Sequence, residues 1–538
     1  MLVIHGMLRS GYDSSKVIIR KALMYRVIVV WILSWSVCLL SPSAWATTYY
    51  VDATNGKDED KGISSSTAWK SLSKVSNSNL LPGDHVKLKR GNVWRETLTV
   101  PTSGSAGSPI TFGAYGTGNN PIIKGSDLVS TWVNDGGNVW KADVTTEPRA
   151  VWFDTSIGTK ESAKEKLSAA KEWVWAADVL YVYSTSDPNG AYKSPGIEAG
   201  GRTNCIYIID KNYITITNID LIHSGSAGPG TGVNIGGSSN EIIINACGIL
   251  QSGYQHIGVW GAIAAGSNYL IQNCTFEYSG LVHLEGAGSA IDVDSKADSD
   301  FLVTVESNTF THVGDYVGSG YHDHGIYHKN GRLIWRYNYH YNGGVETGAC
   351  VKISGNAKNG CQVYYNIFSK GDGVQTWGVL TEAASGHTVY NNVFYGVGTG
   401  VWQSTGGSGI SVKNNIFHTT TYRFIIANPT TNFVCNYNNY YGGSAIPFAW
   451  GATAYPYKSW KTVSGQDVNS ITDNPQFVDP SNNDFYLQAI SPCIDAGIAV
   501  GLNQDFRGTT IRGREVDIGA LEHRSFVPPK NLPVLRSP

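Results

Sequence analysis

Two aspartates, a tyrosine and two lysines occur at matching positions of short apolar segments. Asp292 and Asp294 form an Asp-x-Asp pair in "AIDVDS", Tyr327 and Lys329 have the same spacing in "GIYHK", and Lys352 lies in "CVKIS". Residues two apart on a strand project from the same face. If these segments are neighbouring strands, two carboxylates, a phenol and two ammonium groups share one surface. Such a surface could move protons on a bound substrate, and the aspartate pair could hold Ca²⁺.

A histidine cluster precedes the second of these segments. His322, Asp323 and His324 stand at the turn that enters the strand, and Asp323 has the parity of the outward residues. They could belong to the catalytic face or only bond the turn. His328 has the inward parity and is expected to be a core histidine. The spacing of two residues, with no third ligand evident, does not favour a zinc site.

One strand from each successive segment can be aligned through its inward aliphatic residues. The first outward row then reads Asn234, Gly258, Asp292, Tyr327, Lys352, Gln375 and Trp402. The second reads Gly236, Trp260, Asp294, Lys329, Ser354, Trp377 and Ser404. Tryptophan faces beside polar groups suit a sugar chain, so we expect substrate contacts from Trp260, Trp377, Trp402, Asn234, Gln375 and Glu382. The alternative is an ordinary polar sheet face with structural tryptophans.

The stacking of these segments follows from a repeat. Asn residues followed closely by an apolar or aromatic residue recur every 23 to 35 positions, at 218, 245, 273, 308, 338, 366, 392, 415 and 439. This period, with a strand in each unit, indicates a solenoid. The leucine ladder of leucine-rich repeats is missing, and propeller blades are longer. A right-handed parallel β-helix remains, in which Asn residues of successive coils stack along the axis.

Composition agrees with an all-β chain. The 538 residues exceed what one compact core accommodates, glycine is frequent at 62, and only 15% of residues are charged. Seven cysteines would remain in the mature chain without CxxC pairs or zinc spacing, so buried thiols are expected. A bond between Cys350 and Cys361 stays open.

The N-terminus predicts export. Basic residues precede the apolar run 27–40, and "AWA" at 44–46 offers a cleavage site. Met24 could be the true start. Without residues 1–46 the chain has 35 Lys and Arg against 41 Asp and Glu, a net charge of −6. This charge does not indicate nucleic-acid binding, and no other stretch could span a membrane.

The opening segment 49–98 and the tail 474–522 carry a family resemblance. With the Asn repeat, they resemble secreted bacterial β-helix proteins of the pectin-lyase-like superfamily. The resemblance implies a right-handed parallel β-helix with a small β-rich insertion and a C-terminal capping module. The expected parts are a signal peptide at 1–46, N-terminal coils at 47–146, the insertion at 147–196, central coils at 197–445, the module at 446–525 and a tail at 526–538.

The resemblance implies a secreted, periplasmic or cell-surface bacterial monomer acting on an acidic polysaccharide. The first hypothesis is a polysaccharide lyase that performs β-elimination with calcium on Asp292 and Asp294. Lys352 or Lys329 would be the base and Tyr327 the acid or base. Glycoside hydrolysis by paired carboxylates, with Glu346, Asp372 or Glu382 as further candidates, is the alternative. A non-catalytic glycan-binding adhesin and a C5-epimerase also remain open.

Overall fold

A computed structural model describes residues 46–224, 230–281, 288–296, 298–313, 324–341, 348–370, 377–382, 385–404, 408–428, 432–511 and 516–523. Most of the predicted signal peptide, together with His322, Asp323 and Gln375, lies outside these residues, as do Glu346 and Asp372. Among the described residues, none of the helices has the length and apolar character that a bilayer crossing requires.

Three long sheets run side by side along the chain, each made almost entirely of parallel strands. Each coil adds one strand to each sheet, which is the right-handed parallel β-helix expected from the repeat. We name the first the groove sheet, because it carries the candidate site. Its strands, in spatial order, are Leu98–Thr99, Asn204–Ile209, Thr231–Gly236, Gln255–Gly261, Ile291–Ser295, Ile326–His328, Ala349–Ile353, Trp377–Thr381, Thr399–Gln403, Arg423–Ala427, Phe448–Trp450 and Thr453–Tyr455.

The other two sheets complete each coil. The second sheet contains Thr48–Val51, His85–Lys89, Ile110–Tyr115, Asn212–Thr217, Asn240–Asn245, Asn268–Gln272, Leu302–Glu306, Arg332–Arg336, Gln362–Tyr364, Thr388–Tyr390, Ser411–Lys413 and Val434–Asn436. The third contains Val93–Trp94, Ile122–Lys124, Asp220–Ile222, Gly248–Leu250, Thr275–Ser279, Thr309–Val313, Tyr339–Tyr341, Ile367–Ser369, Val393–Tyr395, Ile416–His418 and Asn439–Tyr441. Alternate residues of all three sheets fill one continuous core with stacked Ile, Val and Phe side chains.

An asparagine ladder fixes the turn between the second and third sheets. Its members are Asn308, Asn338, Asn366, Asn392, Asn415 and Asn438, all buried. Each member after Asn308 accepts, at Oδ1, the backbone N–H of the preceding member at 2.9–3.0 Å. In the two coils before the ladder, Cys247 and Cys274 lie at the turn, and the Cys274 N–H donates to Asn308. The final member is Asn438 rather than the expected Asn439.

Two smaller sheets leave the solenoid between its first and later coils. One contains Ser156–Ile157, Val151–Phe153, Ile197–Gly200 and Ser126–Val129. The other contains Thr159–Lys160, Glu172–Ala176, Val179–Tyr183, Val139–Asp143 and Val133–Gly136. They begin before the expected bound of residue 147. The buried Glu198 anchors them to the solenoid through ion pairs with Arg95 at 2.5 Å and Lys124 at 2.8 Å.

The C-terminal residues protect the last coil and one flank. The groove sheet ends in an antiparallel hairpin, and Trp460 of helix Tyr457–Ser464 stacks on Phe448 with ring centroids 5.0 Å apart. The hairpin Phe477–Asp479 and Asp484–Leu487 packs instead on the outer face of the third sheet, against residues such as Val393. The remaining helical segments are Leu72–Ser76, Pro188–Ala191, Ser65–Thr67, Lys164–Lys166 and Pro480–Asn482. The seven described cysteines are free and buried, so Cys350 and Cys361 are not bonded.

Candidate active site

The strand register brings the predicted acid–base residues together on the outer face of the groove sheet. Asp292 pairs with Tyr327, and Tyr327 pairs with Lys352 on the next coil. Asp294 lies two residues further along its strand, Lys329 directly follows the strand Ile326–His328, and their side chains form an ion pair at 2.7 Å. The shared face follows from strand alternation, because the residues between them are inward aliphatics or the buried His328. We call these five residues the central cluster.

One coil has a different register from the expected one. Its strand begins at Trp377, and Leu380 pairs with Lys352 and Trp402 in the first row, where Gln375 was expected. Glu382 follows this strand and occupies the second-row place expected for Trp377. The hydrogen bond from the Glu382 N–H to the Ile353 carbonyl shows this register. The segments "GVQTW" and "GVLTE" offer the same alternation, so the pattern alone could not choose between them.

A β-bulge adds a residue that the sequence did not predict. The N–H groups of His256 and Ile257 both donate to the Ala290 carbonyl, so two residues face one. This interruption of the alternation allows Gln255 to join the outer face, where its amide reaches Asp292. No sequence signal marks this bulge.

Asp292 is buried, with 6% of its surface exposed. Its Oδ2 accepts two hydrogen bonds at 3.1 Å, one from Gln255 Nε2 and one from Trp260 Nε1. Its Oδ1 is also buried and has no hydrogen-bond partner among the described residues. Burial raises the pKa of Asp292, and the nearby Lys329 and the two N–H donors oppose this only in part. The site therefore favours a protonated Asp292 more than water does.

Trp260 reaches Asp292 because its neighbour in the strand is small. A Cβ placed on Gly258 would lie 2.6 Å from the Trp260 ring, so the indole lies directly over this glycine. Gly258 is also the residue paired with Asp292 on the adjacent strand. The glycine thus leaves the space through which the indole N–H meets the carboxylate.

Tyr327 lies between the two lysines of the central cluster. The Nζ atoms of Lys329 and Lys352 are each 4.6 Å from the centroid of its ring. Lys352 is 8% exposed and its Nζ lies 3.2 Å from Glu382 Oε1. Burial would lower the pKa of Lys329, but Asp292 and Asp294 outweigh it and raise that pKa. Lys329 is therefore held protonated, which does not suit the base expected from the sequence.

His324 is buried at the edge of this cluster. Its Nδ1 accepts the Ala349 N–H at 2.9 Å, and its ring meets the Tyr327 ring edge-on at 5.4 Å between centroids. The bond to Ala349 fixes Nδ1 as an acceptor. His324 therefore supports the strand entrance and the Tyr327 ring at the same time.

The aromatic residues expected to bind sugar lie on both sides of the cluster. Trp260 is one coil before Asp294 in the second row. Trp377 and Trp402 lie beyond Lys352 and contact each other with centroids 4.6 Å apart and planes at 85°. Asn234 is in the first row, paired with Gly258. The groove thus has aromatic surface at both ends of a charged centre.

The aspartate pair already has one oxygen of each carboxylate bonded to N–H donors. Asp292 Oδ2 faces two N–H donors and Asp294 Oδ2 faces the Lys329 ammonium group, so each carboxylate offers at most its Oδ1 to a cation. In the described part of the chain, no group of three or more His, Cys, Asp and Glu residues could hold a metal ion. Calcium stays a prediction that a chelator tests.

Comparison with known proteins gives one short sequence match. No family model matches the chain. It is 38% identical over 96 residues to a lacto-N-biosidase of Bifidobacterium longum subsp. longum, and the match covers 16% of this chain and 6% of that protein. The chain thus spans only a small part of that curated relative.

Solved structures show the fold. A complex of XylC with xylose is similar with a TM-score of 0.52 and 14% identity, covering 88% of this chain and 98% of the other. A structure described as a glycoside hydrolase has a TM-score of 0.51 and 11% identity, covering 76% and 96%. Together with the sheet topology, these similarities show a right-handed parallel β-helix, the fold that the resemblance implied. Identities this low leave the reaction to the residues of the groove.

Proposed function

We propose that the protein is a secreted carbohydrate-active enzyme that hydrolyses a glycosidic bond in the groove. Asp292 is the general acid, and Asp294 is the ionised carboxylate that acts as base or nucleophile. The observation that carries this proposal is the difference between two carboxyl groups of one strand. Asp292 is buried with a raised pKa, whereas Asp294 is paired with Lys329. Glycoside hydrolysis needs one protonated and one ionised carboxyl group.

The charges of the central cluster support this assignment. Lys329 pairs with Asp294, and Lys352 pairs with Glu382. Each ion pair is neutral by itself, so a protonated Asp292 leaves no excess charge on these five described groups. The proton would pass from Asp292 Oδ1 to the leaving oxygen, because Oδ2 is occupied by Gln255 and Trp260. The local similarity to a lacto-N-biosidase is consistent with the same class of reaction.

A polysaccharide lyase is the second candidate, and the position of Tyr327 favours it. Two ammonium groups, each 4.6 Å from one phenol ring, could neutralise a uronate carboxylate while Tyr327 exchanges the C5 proton. This reaction requires an acidic polysaccharide. It also yields an unsaturated product, which distinguishes it from hydrolysis.

Incubation with a polysaccharide panel tests both candidates. Pectate, alginate, glycosaminoglycans and neutral glycans are incubated with the protein, and reducing ends and ultraviolet absorbance of unsaturated sugars are followed together. Hydrolysis predicts reducing ends without that absorbance, and lysis predicts both. Asp292→Asn should lower the hydrolytic rate about 100- to 10,000-fold, the usual share of a general acid.

Asp178→Asn is the matched control for this substitution. Asp178 is exposed in a turn of the insertion, at a φ of 65° that asparagine also tolerates. It should retain the rate of the original protein. Turnover by Asp292→Asn at the original rate would remove Asp292 from the mechanism. Glycan binding without any product would favour the adhesin hypothesis.

A further inference from the structure

An open polar cleft of about 620 Å³ lies beside the central cluster. It starts where the second outward row ends, since Ser295, Asn330 and Gly355 directly follow Asp294, Lys329 and Ser354 in the chain. Its volume is within the roughly 300–1,000 Å³ of small-molecule sites. A glycan that runs along the groove would therefore pass the mouth of this cleft.

Unequal turns build the cleft. Only three residues separate the strands that end at His328 and begin at Arg332, whereas more residues separate Ser295 from Leu302 and Ile353 from Gln362 in the coils on either side. Gly331 makes the short turn with a φ of +73°, and a Cβ there would lie 2.6 Å from the Phe301 ring. The Lys358 N–H donates to the Gly331 carbonyl at 2.7 Å, which holds one wall against the floor. The cleft is thus formed by the backbone before any ligand arrives.

The lining residues are suited to a charged sugar. Amide side chains come from Asn330, Asn356 and Asn359, and charged side chains from Lys296, Lys358 and Asp298. The described lining residues include no aromatic side chain, in contrast to the groove itself. Amides bind hydroxyl groups, and two lysines against one aspartate favour an anion.

The lysine on one wall already holds a carboxylate. Lys358 Nζ bonds Asp298 Oδ1 at 2.5 Å across sixty positions of sequence, and the Asp298 side chain is 83% exposed. Ion pairs this exposed are weak because water screens them, so Asp298 is easily displaced. Its carboxylate occupies the place that an acidic ligand would take.

We infer that this cleft binds an acidic sugar substituent, a uronate, with Lys358 receiving its carboxylate in exchange for Asp298. The substituent would branch from a glycan in the groove, and only this link to the groove rests on the proposed function. The cleft would then select acidic branched glycans, because a neutral substituent cannot replace Asp298 at the ammonium group.

Binding of two matched monosaccharides tests the inference without turnover. D-galacturonate and D-galactose differ in the carboxylate, and their affinities are measured by calorimetry or ligand-observed NMR. Galacturonate should bind more tightly than galactose. Lys358→Met should weaken galacturonate about tenfold, the effect of one charge-assisted hydrogen bond, and leave galactose unchanged. Lys61→Met, at an exposed distant lysine, should change neither affinity.

Asp298→Asn gives a test in the opposite direction. Removal of the competing carboxylate should strengthen galacturonate binding, and this variant involves an exposed side chain that does not threaten folding. Equal affinity for the two sugars, or unchanged galacturonate binding in Asp298→Asn, overturns the inference. Binding that is lost in Trp402→Ala but kept in Lys358→Met would place the sugar in the groove and overturn it as well. None of these results depends on whether Asp292 is an acid catalyst.

Discussion

The hydrogen bond from Trp260 to Asp292 should set the upper pH limit of activity. Trp260→Phe removes the Nε1 donor and keeps an aromatic ring over Gly258. This donor favours the ionised form of Asp292, so its loss should raise the pKa of Asp292 further. A hydrogen bond to a charged group contributes about 1.5–3 kcal/mol, and one pKa unit corresponds to about 1.4 kcal/mol. The expected rise is therefore about one to two pH units.

A general acid is active while it is protonated, so the direction of the effect is fixed. The activity of the original protein should fall as pH rises through the pKa of Asp292. In Trp260→Phe this basic limb of the kcat/KM profile should move to higher pH. Gly258→Ala should move it in the same direction, because a Cβ would displace the indole. The assay is the pH dependence of reducing-end release on the substrate that the panel identifies.

Trp402→Phe is the control for this experiment. Trp402 lies two coils beyond Lys352 in the first row. Trp402→Phe can change the rate, but the basic limb of its kcat/KM profile should lie at the same pH as in the original protein. A basic limb that stays fixed in folded Trp260→Phe, or that moves to lower pH, would refute the assignment of Asp292 as the acid.

Other predictions concern stability and metal use. Burial raises the pKa of Glu522 from its ordinary value of 4.5 to about 8. Between pH 4.5 and 8 the folded protein therefore keeps a proton that the unfolded chain releases, and the free energy of unfolding falls as pH rises through this range. At pH 8, Glu522→Gln should therefore raise Tm, and the free energy of unfolding should increase by at least about 1 kcal/mol. Burial lowers the pKa of His387 to about 4, so the free energy of unfolding should fall as pH drops from about 6.5 to 4. His387→Leu should reduce the slope of unfolding free energy against pH in this range by about 1.4 kcal/mol per pH unit. Asn366→Ala leaves the buried Asn338 N–H without its acceptor and should lower the free energy of unfolding in urea by about 2–4 kcal/mol. Asn469→Ala, at an exposed asparagine, should change it little. EDTA should leave hydrolysis by Asp292 and Asp294 unchanged. Inhibition by EDTA with rescue by calcium would instead indicate that this aspartate pair binds calcium.

The sequence was sufficient to predict which acid–base residues share a surface. A β-helix repeats one strand geometry, so alternation of inward aliphatics fixes the outward rows wherever the pattern is unambiguous. Asp292, Tyr327 and Lys352 pair across three coils as their segments predicted. The pattern failed at Gln375, because a neighbouring segment alternates equally well and the turn before the strand has no fixed length.

The tertiary structure decided the chemistry of those residues. Gln255 joins the site through a bulge that depends on hydrogen bonds to another coil, and Trp260 reaches Asp292 because the indole folds over a glycine. Burial and two donors then give Asp292 an environment different from that of Asp294, two residues away. Where the alternation is unambiguous, spacing determines which groups face outward, because strand alternation is local. Protonation and hydrogen bonding depend on neighbours that are distant in sequence, so only the packed coils could decide them.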